Sequence, residues 1–447
     1  MDKRALPPGP RIPLLQTYLY LRDPYTYLAQ TRDKYGDPFT ADVVNGTVVI
    51  VGSPQGAQQV FSADPDTYLP FGTDAVRPLI GENSLLLLSG ARHKRERRLL
   101  MPAFHGDRMR AYGETIRDVA LAAAARWPQG ETFVFQETSQ WISLEVIIRA
   151  VFGVVDPARV DAFRAAILEF VASAAPSLLF FPFLQRSFFG RGPWVRLQKA
   201  KQRGHFLLAA ELAARRSRPE ETGEDILSLL VRARHEDGSG MTDPEIHDEL
   251  ITLLFAGHET TGIALAWAIY WLLRERTSLE RLLAELDAAG ERPEPEAIAR
   301  LPYLDAVVHE TLRLYPIAPD APRLLARPLE VGGYTLPAGA CVAVASALLH
   351  IRPDLYPDPH RFRPERFLER KFSPFEYTPF GGGHRRCLGA AFATYEMKLV
   401  LATLLRNFRL ELAEPGEVKP GRRNVVLGPA TGVRVKLAGP RKAGDSA

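Results

Sequence analysis

The sequence contains little cysteine, carries little net charge and lacks a long uninterrupted apolar run. Of its 447 residues only Cys341 and Cys387 are cysteines, which excludes a disulfide framework and makes a reducing cytoplasm the simplest compartment. A net charge of +4 is too small to indicate binding to nucleic acid, and no row of basic and aromatic residues favours it.

No membrane anchor or signal peptide is predicted. The most apolar window, Val171–Leu184, is about 14 residues long and is broken by Pro176 and Pro182, whereas a spanning helix needs about 20 apolar residues. The proline-rich segment Leu6–Pro10 has no apolar stretch before it.

The composition, with 46% hydrophobic and 24% charged residues, is that of a globular protein with ample core material. The length allows two or three average domains or one large unit. Asn45-Gly46 joins two alternating apolar runs, Pro38–Val44 and Thr47–Val51, and predicts a hairpin. From there to about Leu314 the apolar residues follow a helical period, so the chain is predicted to be mainly helical.

The most informative stretch is Phe380–Ala390. A lone cysteine, Cys387, closes a glycine-rich turn and precedes a long apolar-periodic helix. A thiolate there can bind iron, and the helix N-terminus favours its charge; the alternative is a buried structural cysteine after a flexible turn. The spacing Phe380-x-x-Gly383-x-Arg385-x-Cys387-x-Gly389 resembles the haem-ligand loop of the cytochrome P-450 family, the haem-thiolate monooxygenases.

The resemblance implies that Cys387 is the axial ligand of a haem iron. It further implies that Phe380, Gly381, Arg385 and Gly389 contact the haem, and that the glycines of the loop provide clearance for the porphyrin.

A second motif is the charge run at residues 92–98, which in isolation predicts a solvated helix face. His93 and Arg97 are four residues apart, share one face and suit a pair of carboxylates. In the resembled family such a pair contacts the haem propionates, and Arg323 and Arg385 match further propionate partners. The basic residues left over would lie near a surface where an acidic electron donor docks; they are Arg92, Lys94, Arg95, Arg98 and, in the loop, Arg386.

A capping box, Thr242 with Glu245, opens a helix predicted to continue to about Arg274. Its middle contains the polar notch Ala256–Thr261, which is unfavourable inside an apolar helix. On its own the notch could be a satisfied polar site in a core helix.

The notch matches the oxygen-activating segment of the resembled family. That match implies that Ala256 and Gly257 lie against the haem, with Gly257 permitting a local distortion of the helix. It assigns Thr260 to holding the bound oxygen and Glu259 to relaying protons.

Glu310 and Arg313, three residues apart on the predicted helix Leu301–Leu314, could be an ordinary surface pair. The resemblance instead places them with Arg366 in a buried structural network behind the haem.

The substrate is not defined by any motif. The segments predicted to line the pocket are mostly apolar and indicate a lipophilic molecule such as a fatty acid or terpenoid; they are Phe71–Leu88, Phe170–Leu184, Leu253–Ala256, Ile317–Pro322 and Val426–Pro429. Arg77 could pair with a carboxylate or face solvent, and Asp320 could orient a polar group or cap a turn. Cys341 is predicted to be a small core residue, and Ala438–Ala447 a disordered end.

Taken together, the resemblance implies a mainly α fold with small β-sheets, forming a single domain over residues 1–447 that is ordered from about residue 6 to 437. Haem b would lie between the long helix and the cysteine loop. A c-type haem is not expected because there is no Cys-x-x-Cys-His motif, and zinc is not expected because Cys387 has no partner at zinc-ligand spacing.

The implied reaction inserts one atom of O2 into a C–H or C=C bond of a lipophilic molecule. A monomer receiving electrons from a ferredoxin and an NAD(P)H-dependent ferredoxin reductase is expected. The alternatives are a peroxide-dependent peroxygenase or isomerase on the same fold, and a non-catalytic haem-binding protein.

Overall fold

The computed structural model describes residues 6–70, 72–104, 108–174, 178, 184–187, 189–218, 223–423 and 426–444. Much of the predicted pocket segment Phe170–Leu184 lies outside the described residues, as do Phe71, Phe188 and Asn424.

Helices dominate the described chain. They are α1 (Pro13–Arg22), α2 (Pro24–Tyr35), α3 (Pro54–Phe61), α4 (Thr73–Ile80), α5 (Gly90–Leu100), α6 (Arg108–Ala124), α7 (Phe135–Val146), α8 (Pro157–Ser173), α9 (Pro193–Ser217), α10 (Ile226–Arg232), α11 (Asp243–Arg274), α12 (Arg276–Ala288), α13 (Pro295–Ala299), α14 (Pro302–Leu314), α15 (Ser346–Leu349), α16 (Arg366–Glu369) and α17 (Ala390–Asn407).

The strands form four small sheets. They are β1 (Phe39–Val43), β2 (Gly46–Val51), β3 (Tyr68–Leu69), β4 (Thr132–Val134), β5 (Ala321–Leu325), β6 (Leu329–Val331), β7 (Tyr334–Leu336), β8 (Cys341–Val344), β9 (Phe408–Leu412), β10 (Pro420–Arg423), β11 (Val426–Pro429) and β12 (Arg434–Pro440). The largest sheet has the order β1-β2-β8-β5-β3, in which only β2 and β8 pair in parallel. A second sheet has the order β4-β12-β9, and β6-β7 and β10-β11 are separate antiparallel pairs.

Helix α11 is the centre of the main core. Thr242 caps it through the reciprocal bonds of a capping box with Glu245, as predicted, and its 32 residues end at Arg274. Its C-terminal half is buried almost all round, including Trp267 and Tyr270 at 1% exposure. Among the described residues it is the one helix long and apolar enough to cross a membrane, but two-thirds of that window is buried within the protein, as in a core helix.

The predicted fold class and several elements are confirmed. The hairpin joins β1 to β2 with Val43 opposite Gly46. Its two-residue turn is Val44-Asn45, one residue earlier than the Asn45-Gly46 dipeptide indicates. The helix predicted at Leu301–Leu314 is α14, which begins one residue later because Pro302 occupies its first turn.

The predicted pocket segment Phe71–Leu88 contains α4, with Pro78 inside the helix. The prediction of a disordered end at Ala438–Ala447 needs correction. The end of the chain is structured beyond Leu437, because β12 runs to Pro440 and the buried Arg441 binds Asp287 with both terminal nitrogens, at 2.9 and 2.6 Å.

Candidate active site

The loop that carries Cys387 is closed by its own backbone. The Cys387 N–H donates to the Phe380 carbonyl at 2.9 Å, and the Arg386 N–H donates to the Gly383 carbonyl at 3.1 Å. Gly381 and Gly383 have φ values of +65° and +64°, which favour glycine. The loop then enters α17 through Gly389.

Two glycines of the loop allow close packing against α3, and the predicted clearance for a porphyrin stays a prediction. A Cβ atom at Gly382 would lie 2.2 Å from the ring of Phe61, and one at Gly383 would lie 2.3 Å from the Phe61 carbonyl oxygen. These two glycines therefore let the loop pack against the end of α3. Only Gly389, whose Cβ would meet nothing within 4 Å, borders open space in the way predicted for porphyrin clearance.

The Cys387 side chain is accessible but partly desolvated. Its side chain has exposed surface, yet the surrounding protein raises the pKa of its thiol by desolvation. A hydrogen bond from the Gly389 N–H and the charges of Arg386 and Arg97 act against that rise. A metal ion bound to the sulfur would remove the proton, because coordination stabilises the thiolate directly.

Four basic side chains predicted to bind one group converge beside this loop: His93, Arg97, Arg323 and Arg385, called here the cationic cluster. Arg97 Nη2 donates to the Arg386 carbonyl at 2.7 Å, and Arg323 Nη2 donates to the Gly382 carbonyl at 3.4 Å. Arg385 donates to the carbonyl oxygens of residues 85, 86 and 88, at 3.3 Å for the first. Within the described residues, none of the three guanidinium groups pairs with a carboxylate.

The cationic cluster carries uncompensated positive charge. Burial, together with the neighbouring charges of Arg385, His384, Arg97 and Arg323, lowers the pKa of His93 to about 3. Burial, then Arg323 and Arg97, lowers the pKa of Arg385 to about 10. Buried like charges are unfavourable unless an anion joins them, so this site is suited to a ligand with carboxylates.

These observations test whether haem fits the site. Iron protoporphyrin needs an axial ligand, space beside that ligand and partners for two propionates. Cys387 provides a thiol beside open space, and the cationic cluster provides donors without a carboxylate of the protein among them. The residues present fit the group.

The predicted oxygen-activating notch lies in the middle of α11. Ala256 is exposed although it belongs to a core helix, so the described chain does not cover this side of α11. The Thr260 hydroxyl donates to the Ala256 carbonyl at 2.7 Å, the bond to the carbonyl four residues earlier that Thr favours in helices. Glu259 is partly buried one residue before.

The helix is not broken at the notch, and the local distortion that Gly257 would permit stays a prediction. It runs without interruption from Asp243 to Arg274. A Cβ at Gly257 would lie 3.2 Å from Ile147 Cδ1, so the glycine allows close packing of the residue that follows α7. Gly262 has the same purpose one turn later, where α7 approaches and Ser139 Oγ donates to the Gly262 carbonyl at 2.7 Å.

The structure brings Glu310, Arg313 and Arg366 together in what is called here the Glu310 network. Glu310 Oε2 accepts from Arg313 Nε at 2.6 Å, and Oε1 accepts from Arg313 Nη2 at 2.8 Å and Arg366 Nε at 3.0 Å. Glu310 and Arg313 are fully buried, and the remaining guanidinium donors reach the carbonyl oxygens of residues 350, 357, 359 and 361. Its geometry is that of a closed structural lock.

Sequence reasoning missed His350, which links the Glu310 network to the ligand loop. Its Nδ1–H donates to the Arg313 carbonyl at 3.1 Å, and its Nε2 accepts from the Thr378 N–H at 2.9 Å. Burial and the charge of Arg313 lower the pKa of His350 to about 3, so the ring is neutral. Thr378 in turn accepts from the Gly381 N–H at 3.0 Å. His350 follows two leucines and carries no sequence signal.

A second missed residue, Glu249 on α11, positions the segment before α5. Its Oε2 accepts from the Leu85 N–H at 3.0 Å, and burial raises the pKa of this carboxyl to about 7. Asp248 accepts from Asn83 in the same way at 3.0 Å. The segment thus held offers its carbonyl oxygens to Arg385.

The structure gives the surroundings of the candidate substrate contacts. Asp320 accepts from the Tyr20 hydroxyl at 2.7 Å, which gives it a structural partner. The Arg77 side chain is exposed. Cys341 is buried in β8, where it belongs to the core as predicted. Leu253, Ile317 and Val426 are partly buried against the main core, consistent with an apolar lining.

Comparison with known sequences gives one family. The sequence profile described as Cytochrome P450 matches residues 6–436. The protein named cytochrome P450 135B1 of Mycobacterium tuberculosis is 38% identical over 98% of this chain and 92% of its own length. The protein named cytochrome P450 138 of the same organism is 36% identical over 97% of this chain and 96% of its own length.

Solved structures give the same fold. The structure described as retinoic acid bound cyanobacterial CYP120A1 superposes with a TM-score of 0.85 at 26% identity, covering 98% of this chain and 100% of that one. The haem domain of cytochrome P450DA superposes with a TM-score of 0.82 at 23% identity, covering 99% of each chain.

Proposed function

The chain belongs to the cytochrome P450 family, an oxidoreductase family of monooxygenases with haem b as cofactor, and we propose that it hydroxylates or epoxidises a lipophilic small molecule. The observation that carries the proposal is the accessible Cys387 in its glycine-rich loop, beside a cationic cluster that has no carboxylate partner among the described residues.

Cys387 would hold the iron, and His93, Arg97, Arg323 and Arg385 would bind the propionates. When bound, haem with a thiolate ligand supplies the redox chemistry by which one atom of O2 enters the substrate and the other leaves as water. The protein's part is to fix the cofactor and to keep its ligand deprotonated.

Proton delivery is assigned to α11. The Thr260 hydroxyl donates to the Ala256 carbonyl, so its oxygen lone pairs remain able to accept a hydrogen bond from a group in the cavity. Glu259, the adjacent partly buried carboxyl, would supply protons to this position.

Electrons are proposed to come from a ferredoxin and an NAD(P)H-dependent reductase in the cytoplasm, with the protein acting as a monomer. The exposed basic residues of α5 and Arg386 support an acidic donor, because they lie on the element and the loop that also carry the propionate partners and Cys387.

A terpenoid or a fatty acid is the proposed substrate class. The apolar lining near Leu253, Ile317 and Val426 supports it, and so does the solved relative described as bound to retinoic acid, a terpenoid. The exposed position of Arg77 gives no support to a carboxylate anchor at that residue.

The ligand assignment is tested by the spectrum of the reduced protein with CO. Cys387→Ser should abolish the Soret band of thiolate-ligated iron, whereas Cys341→Ser, the matched change at a core cysteine, should keep it. A thiolate-type band that survives in Cys387→Ser would disprove the assignment.

The reaction class is tested by product formation. A Soret-shift screen over fatty acids, terpenoids and steroids first identifies a binder. With ferredoxin, reductase and NAD(P)H, that binder should then be oxidised with O2 consumption. Equal rates with hydrogen peroxide alone would favour a peroxygenase, and binding without oxidation would favour a carrier.

A further inference from the structure

Helix α5 exposes four basic side chains, Arg92, Lys94, Arg95 and Arg98, called here the basic face. It is part of the surface at which the proposed electron donor would dock. Another segment of the chain partly covers the basic face.

A short hairpin approaches the basic face from the segment between α10 and α11. Arg234 and Gly240 form its single bridge, the His235 N–H donates to the Ser239 carbonyl at 2.8 Å, and the Gly238 N–H donates to the His235 carbonyl at 2.9 Å. The turn places two exposed acids, Glu236 and Asp237, at its tip. We call residues 234–240 the acidic hairpin.

The acids of this segment lie against the basic face. Glu236 forms an ion pair with Arg98, and Asp237 Oδ2 lies 4.0 Å from Arg95 Nη1. Arg95 Nε donates to Glu96 Oε1 at 3.1 Å, so Asp237 is the second and more distant acid at this arginine. The side chains of the first pair are 62% and 84% exposed, so the contact is weak and open to competition by another anion.

The base of the hairpin is fixed more firmly than its tip. His235 Nε2 lies 3.7 Å from Glu96 Oε2, and both side chains are buried. A groove of about 710 Å³ separates α5 from residues 229–237 and is lined by Lys94, Arg95 and Arg98 on one side and by the acidic hairpin on the other. The tip therefore reaches across the groove through exposed ion pairs.

We propose that the acidic hairpin is an intramolecular competitor for the electron donor: it occupies Arg95 and Arg98, and an acidic ferredoxin displaces its tip on docking. This inference rests on the proposed function, because it concerns the partner of the same protein. A donor with too few acidic groups would not displace the hairpin, so the hairpin contributes to donor selection.

The test uses the haem-loaded protein and a plant-type [2Fe–2S] ferredoxin at low ionic strength. Glu236→Gln/Asp237→Asn removes the competitor, and Asp33→Asn/Glu280→Gln removes two exposed acids from α2 and α12 as a control of equal charge. We expect the first variant to bind ferredoxin about 3- to 10-fold more tightly than the control, as the loss of two exposed ion pairs predicts.

Hydrogen exchange provides the second measurement. In the wild-type protein, ferredoxin binding should accelerate exchange at the amides of His235 and Gly238 while α5 gains protection. A variant that binds no more tightly than the control, or hairpin amides that exchange no faster in the complex, would overturn the competitor role and leave the proposed function standing. If ferredoxin neither binds nor reduces the haem in any of the three proteins, the proposed donor class fails and the inference fails with it.

Discussion

The Glu310 network and the cationic cluster are both made of buried charges connected to the ligand loop, but they differ in how those charges are satisfied. In the network, Glu310 receives two guanidinium groups, and the other donors of Arg313 reach backbone carbonyls. In the cluster, burial and the charge of Arg385 lower the pKa of His93, burial with Arg323 and Arg97 lowers that of Arg385, and no described carboxylate joins them. A complete set of partners indicates a structural role, whereas a missing anion indicates a binding site.

The largest expected effect is the loss of one partner in the Glu310 network. Glu310→Gln leaves two buried arginines without a carboxylate and should lower the free energy of unfolding by about 3–5 kcal/mol, measured by denaturant titration.

Helix α6 offers the matched control. Glu114 and Arg117 have the same spacing as Glu310 and Arg313, but Glu114 is 52% exposed. Glu114→Gln should cost less than about 1 kcal/mol. Equal losses at the two sites would contradict the distinction between a buried lock and a surface pair.

A smaller effect is expected at Arg97, where substitution should change the affinity for haem and leave the stability of the haem-free protein almost unchanged. Arg97→Gln removes one cation from an uncompensated cluster, so the haem-free protein should change in unfolding free energy by less than about 1 kcal/mol. Haem affinity should fall about 10- to 100-fold, because a charge-assisted hydrogen bond to a carboxylate is lost.

Arg366→Gln is the same chemical change as Arg97→Gln, but it should affect mainly the stability of the haem-free protein. It should destabilise the haem-free protein by about 3 kcal/mol or more, since Glu310 loses a buried partner. If Arg97→Gln were the more destabilising of the two in the absence of haem, the cluster would have to be a structural network as well.

The smallest expected effect is a pH dependence of the unfolding free energy, to which His93 in the cationic cluster and His350 beside the Glu310 network both contribute. His93 and His350 both have a folded-state pKa of about 3, below the unfolded value of 6.5. The unfolded state therefore binds more protons, so stability is present above about pH 6.5 and is lost as pH falls toward 3. Between pH 7 and pH 5 each histidine should account for about 1–2 kcal/mol of unfolding free energy.

Haem should remove the contribution of His93 only, because propionates beside it would restore the pKa of its imidazole. Denaturant titrations at pH 7 and pH 5 on His93→Gln and His350→Gln, with and without haem, measure this. A contribution of His93 that persists unchanged in the haem-bound protein would show that its ring does not meet the propionates.

Much of the fold was predictable because its signals are local. The capping box at Thr242, the hairpin signal of Asn45-Gly46 and the proline that starts α14 each act on the structure of their immediate neighbours. The same local reasoning failed where a distant residue decides. The purpose of Gly382 and Gly383 depends on Phe61, which is more than three hundred residues away in the chain.

The burial of a side chain was also difficult to predict from the sequence. Glu114-Thr115-Ile116-Arg117 and Glu310-Thr311-Leu312-Arg313 are nearly the same sequence, yet one lies at the surface and the other has no exposure at all. Only the resemblance to a known family separated them before the structure did. His350 had no distinguishing neighbours in sequence, because its partners, Arg313 and Thr378, come from two other segments.

We infer that two carboxylates of haem complete the cationic cluster. The affinity of the haem-free protein for haem dimethyl ester, compared with its affinity for haem, measures the contribution of these carboxylates. The ester keeps the iron and the ring but carries no charge on its propionates. We expect the wild-type protein to bind it at least 10-fold more weakly than haem, and Arg97→Gln to discriminate less between the two. Equal affinity of the wild-type protein for haem and its dimethyl ester would contradict the claim.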